Sequence, residues 1–332
     1  MGNGLKVSLC MIAKDEEACI QSCIQSARRF VDEIIIVDTG SGDKTKELAL
    51  GEGATVYDYK WNSNFADARN FGLDRASGNW ILVLDADEML VNVDEDYFRS
   101  LLEAEEAEGY FCTIHSYLDD QEGIMEDQVV RLFKNNPLYR FSGVIHEQVA
   151  GSIKSNNAGS GLGFADIIIS HYGYLSKQII AKRKQVRNIE VIKRALADSP
   201  QDAFLLYCLG IEYMQGGRFA ESVEQFETAL RFLYGSEGYF PSVLVMLGTG
   251  LLRLNERAKL AGFLEKALMM LPDNNDLHLL KGMLAFLNCE YKAAIEELQP
   301  ILEQKSEILS GDSIRNLLDN AYKCLGYCSE AK

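Results

Sequence analysis

The chain has 332 residues, 47% hydrophobic and 25% charged, which is enough to bury ordinary globular cores, too long for one compact domain, and outside the disordered class. Its formal net charge of −16 argues against a duplex nucleic-acid or anionic-membrane partner, because those surfaces repel an acidic protein that lacks a local basic patch. One short cluster, Lys182-Arg183-Lys184, could form such a patch, and it reads as a solvated helix face.

Residues 5–12 (LKVSLCMI) have the Leu, Val and Ile content of a strand buried on both faces. Residues 16–30 carry Ala18, Ile20, Cys23, Ile24 and Ala27 near helical spacing, and residues 33–37 (EIIIV) return to a buried strand. Residues 43–51 suit a helix, 55–59 a short strand, 65–75 a helix and 80–84 (WILVL) another strand. This alternation predicts an α/β domain with right-handed crossovers and a mostly parallel sheet, whose ligands bind beyond the carboxyl ends of the strands.

From about Ser176 the chain turns to long helical stretches, and a repeat emerges. Leu209-Gly210, Leu247-Gly248 and Lys281-Gly282 share one register at spacings of 38 and 34 residues. Twelve residues after each glycine stand Ser222, Leu260 and Ala294; sixteen after, Phe226, Leu264 and Leu298; nineteen after, Ala229, Ala267 and Ile301. Small residues at fixed helix positions let antiparallel helices approach closely. Residues 200–305 therefore resemble tetratricopeptide repeats, and the chain divides into a domain of residues 1–180 and an all-α repeat domain of residues 181–332.

The chain shows no apolar run of roughly 18 residues and no charged-then-apolar leader, so a cytoplasmic protein without a transmembrane segment is expected. The eight cysteines are scattered and expected to be reduced. Cys19/Cys23 and Cys324/Cys328 sit one helical turn apart, but neither pair has the additional ligands a zinc site needs nearby.

Asp85-Ala86-Asp87-Glu88 directly follows the apolar strand of residues 80–84. Two carboxylates one residue apart at a strand end can hold a hard divalent cation that bridges nucleotide phosphates and neutralises charge on a departing diphosphate. Asp38 ends the second strand ahead of Thr39-Gly40-Ser41-Gly42-Asp43, where it could accept hydrogen bonds from a base or ribose, or simply form a turn with Asp43 capping the next helix.

Together with Ile12-Ala13-Lys14-Asp15-Glu16 and Phe65-Ala66-Asp67-Ala68-Arg69-Asn70, these motifs make residues 1–180 resemble a family-2 glycosyltransferase of the nucleotide-diphospho-sugar transferase (GT-A-like) fold. The resemblance implies a nucleotide-sugar donor, a UDP-sugar in the first instance, and a divalent cation, Mn2+ or Mg2+. It implies that Ala13, Glu16 and Asp38 contact nucleoside, and that Asp67 and Arg69 lie beside the donor; Arg69 could fork a diphosphate or form a helix salt bridge. Many members have a second acidic residue where this chain has Thr39. Arg131-Leu132-Phe133, residues 141–147 (FSGVIHE) and residues 167–173 (IIISHYG) are similar to a subgroup with helical repeats behind the catalytic domain, some members of which glycosylate peptides, including on cysteine, and others saccharides or lipid-linked cores.

An inverting transfer needs a carboxylate base opposite the diphosphate. Glu147 is the nominee and Asp127 the reserve; Glu147 could equally be a structural partner of His146. His171, at the end of an apolar run, could complete the metal shell or be a hydrogen-bonded strand-end residue, and His146 is the other candidate. Residues 151–163, rich in Gly and Ser, read as a loop that orders over donor. The expected partners are the donor and a peptide or glycan acceptor docked on the repeats, and a homodimer stays open. Nucleotidyl transfer would call for a glycine-rich phosphate loop where residues 13–16 stand, and a non-catalytic repeat scaffold would leave Asp85, Asp87, Arg69 and Glu147 without a purpose.

Overall fold

The computed structural model describes residues 4–104, 107–117, 124–171, 177–304, 306, 308–309 and 311–326. It separates into two compact units, Met1–Lys184 and Gln185–Lys332. The first contains β1 (Val7–Ala13), α1 (Ile20–Ala27), β2 (Glu33–Asp38), α2 (Thr45–Gly51), β3 (Thr55–Asp58), α3 (Phe65–Leu73), β4 (Trp80–Val83), β5 (Glu88–Val91), α4 (Glu95–Glu103), β6 (Gly109–Tyr117), β7 (Ile124–Lys134), α5 (Ala150–Asn156) and β8 (Leu162–His171). One eight-stranded sheet runs in the order β3-β2-β1-β4-β7-β6-β8-β5. The pairings β3-β2, β2-β1, β1-β4 and β6-β8 are parallel, while β4-β7, β7-β6 and β8-β5 are antiparallel. This is the expected α/β architecture, with the sheet parallel from β3 through β4 and antiparallel where β7 joins it.

The apolar runs split by parity, as a pleated strand covered on both sides requires. Leu9, Met11, Ile34, Ile36, Trp80 and Leu82 face one core with Ile20, Cys23 and Ile24 of α1 and Phe98 of α4. Cys10, Ile35, Ile81 and Val83 face the other, with Ala66 and Leu73 of α3 and Phe133 and Phe141. Each fully buried aliphatic or aromatic side chain contributes about 1.5–3 kcal/mol, so the strand runs anchor the carboxyl ends where the motifs lie. Residues 151–163 differ from the expected loop: they are built largely of α5 and the turn that leads into β8. All seven cysteines among the described residues are free, and Cys328 lies outside them.

Helix α6 (Lys177–Asp198) carries the chain from one unit into the other. No helix among the described residues is long and apolar enough to cross a membrane. The second unit pairs α7 (Ala203–Gln215) with α8 (Phe219–Leu230), α9 (Phe240–Arg253) with α10 (Arg257–Met270) and α11 (Asn275–Leu287) with α12 (Tyr291–Leu298), followed by α13 (Gly311–Cys324). The three register positions are all inside: Ser222, Phe226 and Ala229, Leu260, Leu264 and Ala267, and Ala294, Leu298 and Ile301 are all buried. The glycines explain the spacing. A Cβ on Gly210 would lie 2.5 Å from the Phe226 ring, and one on Gly282 would lie 2.7 Å from Leu298, so the sixteen-residue offset is the point where the two helices of a pair touch. Ser222 closes the first pair by donating its hydroxyl to the Gly210 carbonyl at 2.8 Å.

Two outcomes follow. Gly210→Ala gains about 1 kcal/mol of helix propensity but overpacks a buried ring at a cost of about 1–3 kcal/mol, so urea denaturation should show a net loss. Gly262→Ala, on α10 with nothing within 4 Å of the added methyl, should stabilise. His278 sets up the second outcome: its Nδ1 lies 2.6 Å from Glu297 Oε2 and its Nε2 2.8 Å from the Pro272 carbonyl, so both nitrogens must be protonated to satisfy both acceptors. Burial pulls its pKa down, but the Glu297 and Pro272 acceptors outweigh it and the net shift is upward, so the stabilisation is complete below the unfolded value of about 6.5 and lost as pH rises through the higher folded value. The gap in thermal midpoint between wild type and His278→Gln should therefore shrink as pH rises from 6 to 8.5.

Candidate active site

The carboxyl ends of β1 and β2 meet in register, Ala13 opposite Asp38. The loops that leave them are laced together. Asp15, in the left-handed region at φ 57°, donates its amide to Ser41 Oγ at 3.0 Å and accepts from Gly42 N at 2.8 Å. The amides of Glu16 and Glu17 donate to Thr45 Oγ1 and Asp43 Oδ2 at 2.7 and 3.0 Å. Asp43 also accepts from Thr45 N and so opens α2. Asp38 is buried: its Oδ1 accepts from Gly40 N and Ser41 N at 3.0 Å each, with Gly40 at φ 108° closing the turn, and its Oδ2 has no hydrogen-bond partner. An orphaned buried carboxylate oxygen is costly, and a ligand N–H or O–H would satisfy it. The Ala13 carbonyl accepts from Thr39 N at 3.0 Å. Burial pushes the Glu16 carboxyl above its ordinary range, while the Cys19 thiol, 3.2 Å from Oε2, opposes the rise.

Behind this mouth lies a ladder of alternating charge. Glu147 Oε1 accepts from Arg69 Nε at 2.5 Å; Asp85 Oδ1 accepts from Arg69 Nη2 at 2.7 Å and its Oδ2 from Arg131 Nη2 at 3.0 Å; Glu88 Oε1 accepts from Arg131 Nη2 at 2.5 Å. Glu88 Oε2 also takes the amide of Asp85 at 2.9 Å, which fixes the β4–β5 turn. Burial would raise Asp85, but the two guanidiniums hold its carboxyl well below the usual carboxylate range. Burial also pushes Glu88 up, against the pull of Arg131.

Asp87 stands apart from this ladder. The β5–β8 register sets Glu88 opposite His171, which brings His171 Nε2 to 3.1 Å from Asp87 Oδ2. Lys184 Nζ reaches the same oxygen at 3.2 Å. Burial raises Asp87, yet His171 and Lys184 bring it below its ordinary value; the bond to Asp87 in turn raises His171.

Several expectations are corrected. Asp85, expected to hold a cation with Asp87, has each of its oxygens engaged by a guanidinium, Oδ1 by Arg69 and Oδ2 by Arg131. Among the described residues no three His, Cys, Asp or Glu side chains form a metal-ligand group. Arg69 is not free to fork a diphosphate, since Nε and Nη2 are engaged and Nη1 is buried without a partner. Asp67 and Arg69 do not share a face: two positions apart on a helix is roughly 200° of rotation, and Asp67 points to Asn62 Nδ2 at 2.7 Å while Arg69 turns inward. Glu147 is a partner of Arg69, not of His146: its Oε1 accepts from Arg69 Nε. His146 is exposed at φ 52° in the turn closed by the Ser142–Gln148 bridge. Asp127 is exposed on β7, four residues before Arg131 and ahead of the register shift that leaves Arg131 without a partner on β6.

Sequence reasoning missed the roles of Glu88, Arg131 and Lys184. A charged residue inside the apolar run Val129-Val130-Arg131-Leu132-Phe133 was the readable signal for Arg131, since a buried charge implies a buried partner.

With this geometry in view, comparison with known proteins finds that residues 8–158, within the first unit, match the family described as Glycosyl transferase family 2. A TPR repeat-containing protein of Synechococcus elongatus is 34% identical over 216 residues, 64% of this chain and 53% of that protein. The SPbeta prophage-derived glycosyltransferase SunS of Bacillus subtilis is 25% identical over 263 residues, 77% of this chain and 61% of that protein. A lipopolysaccharide core biosynthesis glycosyltransferase, LpsC, of Rhizobium meliloti is 29% identical over 192 residues, 54% of this chain and 68% of that protein. The chain thus spans little more than half the length of the first two relatives.

The two acidic residues should differ in what their removal costs. Asp85→Ala strands two buried guanidiniums; with its side chain 35% exposed, the loss should be about 2 kcal/mol, below the roughly 3–5 kcal/mol of a fully buried pair because solvent screens it. Asp87→Ala should cost less than about 1 kcal/mol. Chemical denaturation of both variants checks the contrast.

Proposed function

We propose that the protein is a metal-dependent, inverting glycosyltransferase that moves a hexose or hexosamine from a UDP-sugar to a peptide side chain. The carrying observation is the Asp87–His171 pair, one oxygen and one nitrogen donor 3.1 Å apart beside a turn held by the charge ladder. These residues fit a hard divalent cation such as Mn2+ or Mg2+ that takes its remaining ligands from diphosphate and water. Bound there, the cation would stabilise negative charge on the leaving diphosphate. Asp38 Oδ2, buried and unpartnered, would accept a hydrogen bond from the nucleoside, and Glu16 lines the same mouth. Arg69, Asp85, Arg131, Glu88 and Glu147 hold the turn. The base is assigned to Asp127, whose exposed carboxylate makes no hydrogen bond or ion pair among the described residues, in place of Glu147.

A peptide acceptor is supported by the repeat unit, because stacked helical pairs offer an extended surface suited to an extended chain. A saccharide acceptor is the second reading, favoured by the likeness to LpsC. Location in the cytoplasm and a homodimer remain part of the proposal.

The test is UDP release by purified protein given UDP-glucose or UDP-N-acetylglucosamine, Mn2+, and either cysteine- and serine-containing peptides or oligosaccharides. Release should depend on acceptor, stop with EDTA, and fall at least about a hundredfold in Asp87→Ala. Asp127→Asn should lose turnover while UDP affinity is kept. Undiminished release in Asp87→Ala or in EDTA overturns the assignment.

A further inference from the structure

Lys184 lies on α6, in the cluster read from the sequence as a solvated basic face, yet its ammonium sits 3.2 Å from Asp87 Oδ2. That is the oxygen His171 Nε2 meets at 3.1 Å. The Lys184 side chain is 47% exposed, whereas Asp87 is 17% exposed, so a half-wet cation caps a mostly buried carboxylate. Its charge also acts on Glu16 and Cys19, which puts the ammonium at the mouth formed by the β1–α1 and β4–β5 connections. Arg69 and Arg131 are committed to Asp85, Glu88 and Glu147 within the ladder, whereas Lys184 pairs with Asp87.

A lysine ammonium is a compact point charge on a flexible stem, able to exchange a carboxylate for a phosphate oxygen at little conformational cost. A divalent cation and an ammonium cannot share one carboxylate oxygen without strong repulsion at contact distance. We infer that Lys184 is an exchangeable counter-ion of the donor site: it neutralises Asp87 before a divalent cation arrives, gives up that oxygen to the cation, and turns to the donor diphosphate. Lys184 is thereby a donor-binding residue selective for the phosphates. The inference rests on Asp87 and His171 being the metal seat.

This exchange predicts effects of opposite sign, which a purely structural lysine does not produce. In Lys184→Met, Mn2+ titrated without nucleotide and followed by electron paramagnetic resonance should bind about threefold to tenfold more tightly, because its competitor is gone. UDP titrated calorimetrically at saturating Mn2+ should bind about tenfold more weakly, because one charge-assisted contact is lost. Lys184→Arg, which keeps the charge, should restore UDP affinity to near the wild-type value. Equal or weaker Mn2+ binding in Lys184→Met, or unchanged UDP binding, overturns the inference while leaving the metal seat intact. Failure of the wild-type protein to bind Mn2+ and UDP at all overturns both.

Discussion

Charges taken out of water must be paired, and in the first unit that requirement organises everything near the strand ends. Glu147, Arg69, Asp85, Arg131 and Glu88 alternate in sign and come from a loop, α3, the β4–β5 turn, β7 and β5. Any one of these groups alone would be a buried, uncompensated charge. Together they tie five segments to one another, and because Glu88 also holds the Asp85 amide, the turn that presents Asp87 has little freedom left. A site built on such a support is preorganised for its ligand before the ligand arrives.

The ladder also divides two residues that the D-x-D spelling would treat alike. Asp85 is held by a guanidinium on each oxygen and ties the scaffold together, while Asp87 meets an imidazole and an ammonium. The same division separates Arg69 from Asp67 on α3, where helical rotation turns one residue inward and leaves the other on the surface. Outside the ladder, the mouth is lined by Asp38, Glu16, Asp87, His171 and Lys184.

The second unit obeys a different constraint, the close approach of helices. Gly210 and Gly282 are set where the partner helix places Phe226 and Leu298, and Gly248 meets Leu280 of the following pair. Contacts within and between pairs thus use the same small-residue register, which is how units too small to bury their own faces share a continuous core.

Much of this was legible in the residues alone. The strands and helices, the repeat register and the acidic motifs are all written in local periodicity, and period 2 or period 3.6 needs no knowledge of distant neighbours. Hence the α/β unit, the helical pairs and the positions of Asp38, Asp85, Asp87 and His171 at strand ends were read directly. The partners of Asp85 and Asp87 were not, because they lie 16, 46, 84 and 97 residues away in the chain and meet them only once the sheet has assembled. Which carboxylate meets two guanidiniums and which meets an imidazole and an ammonium is a property of strand order, and strand order comes from long-range packing that no local pattern records.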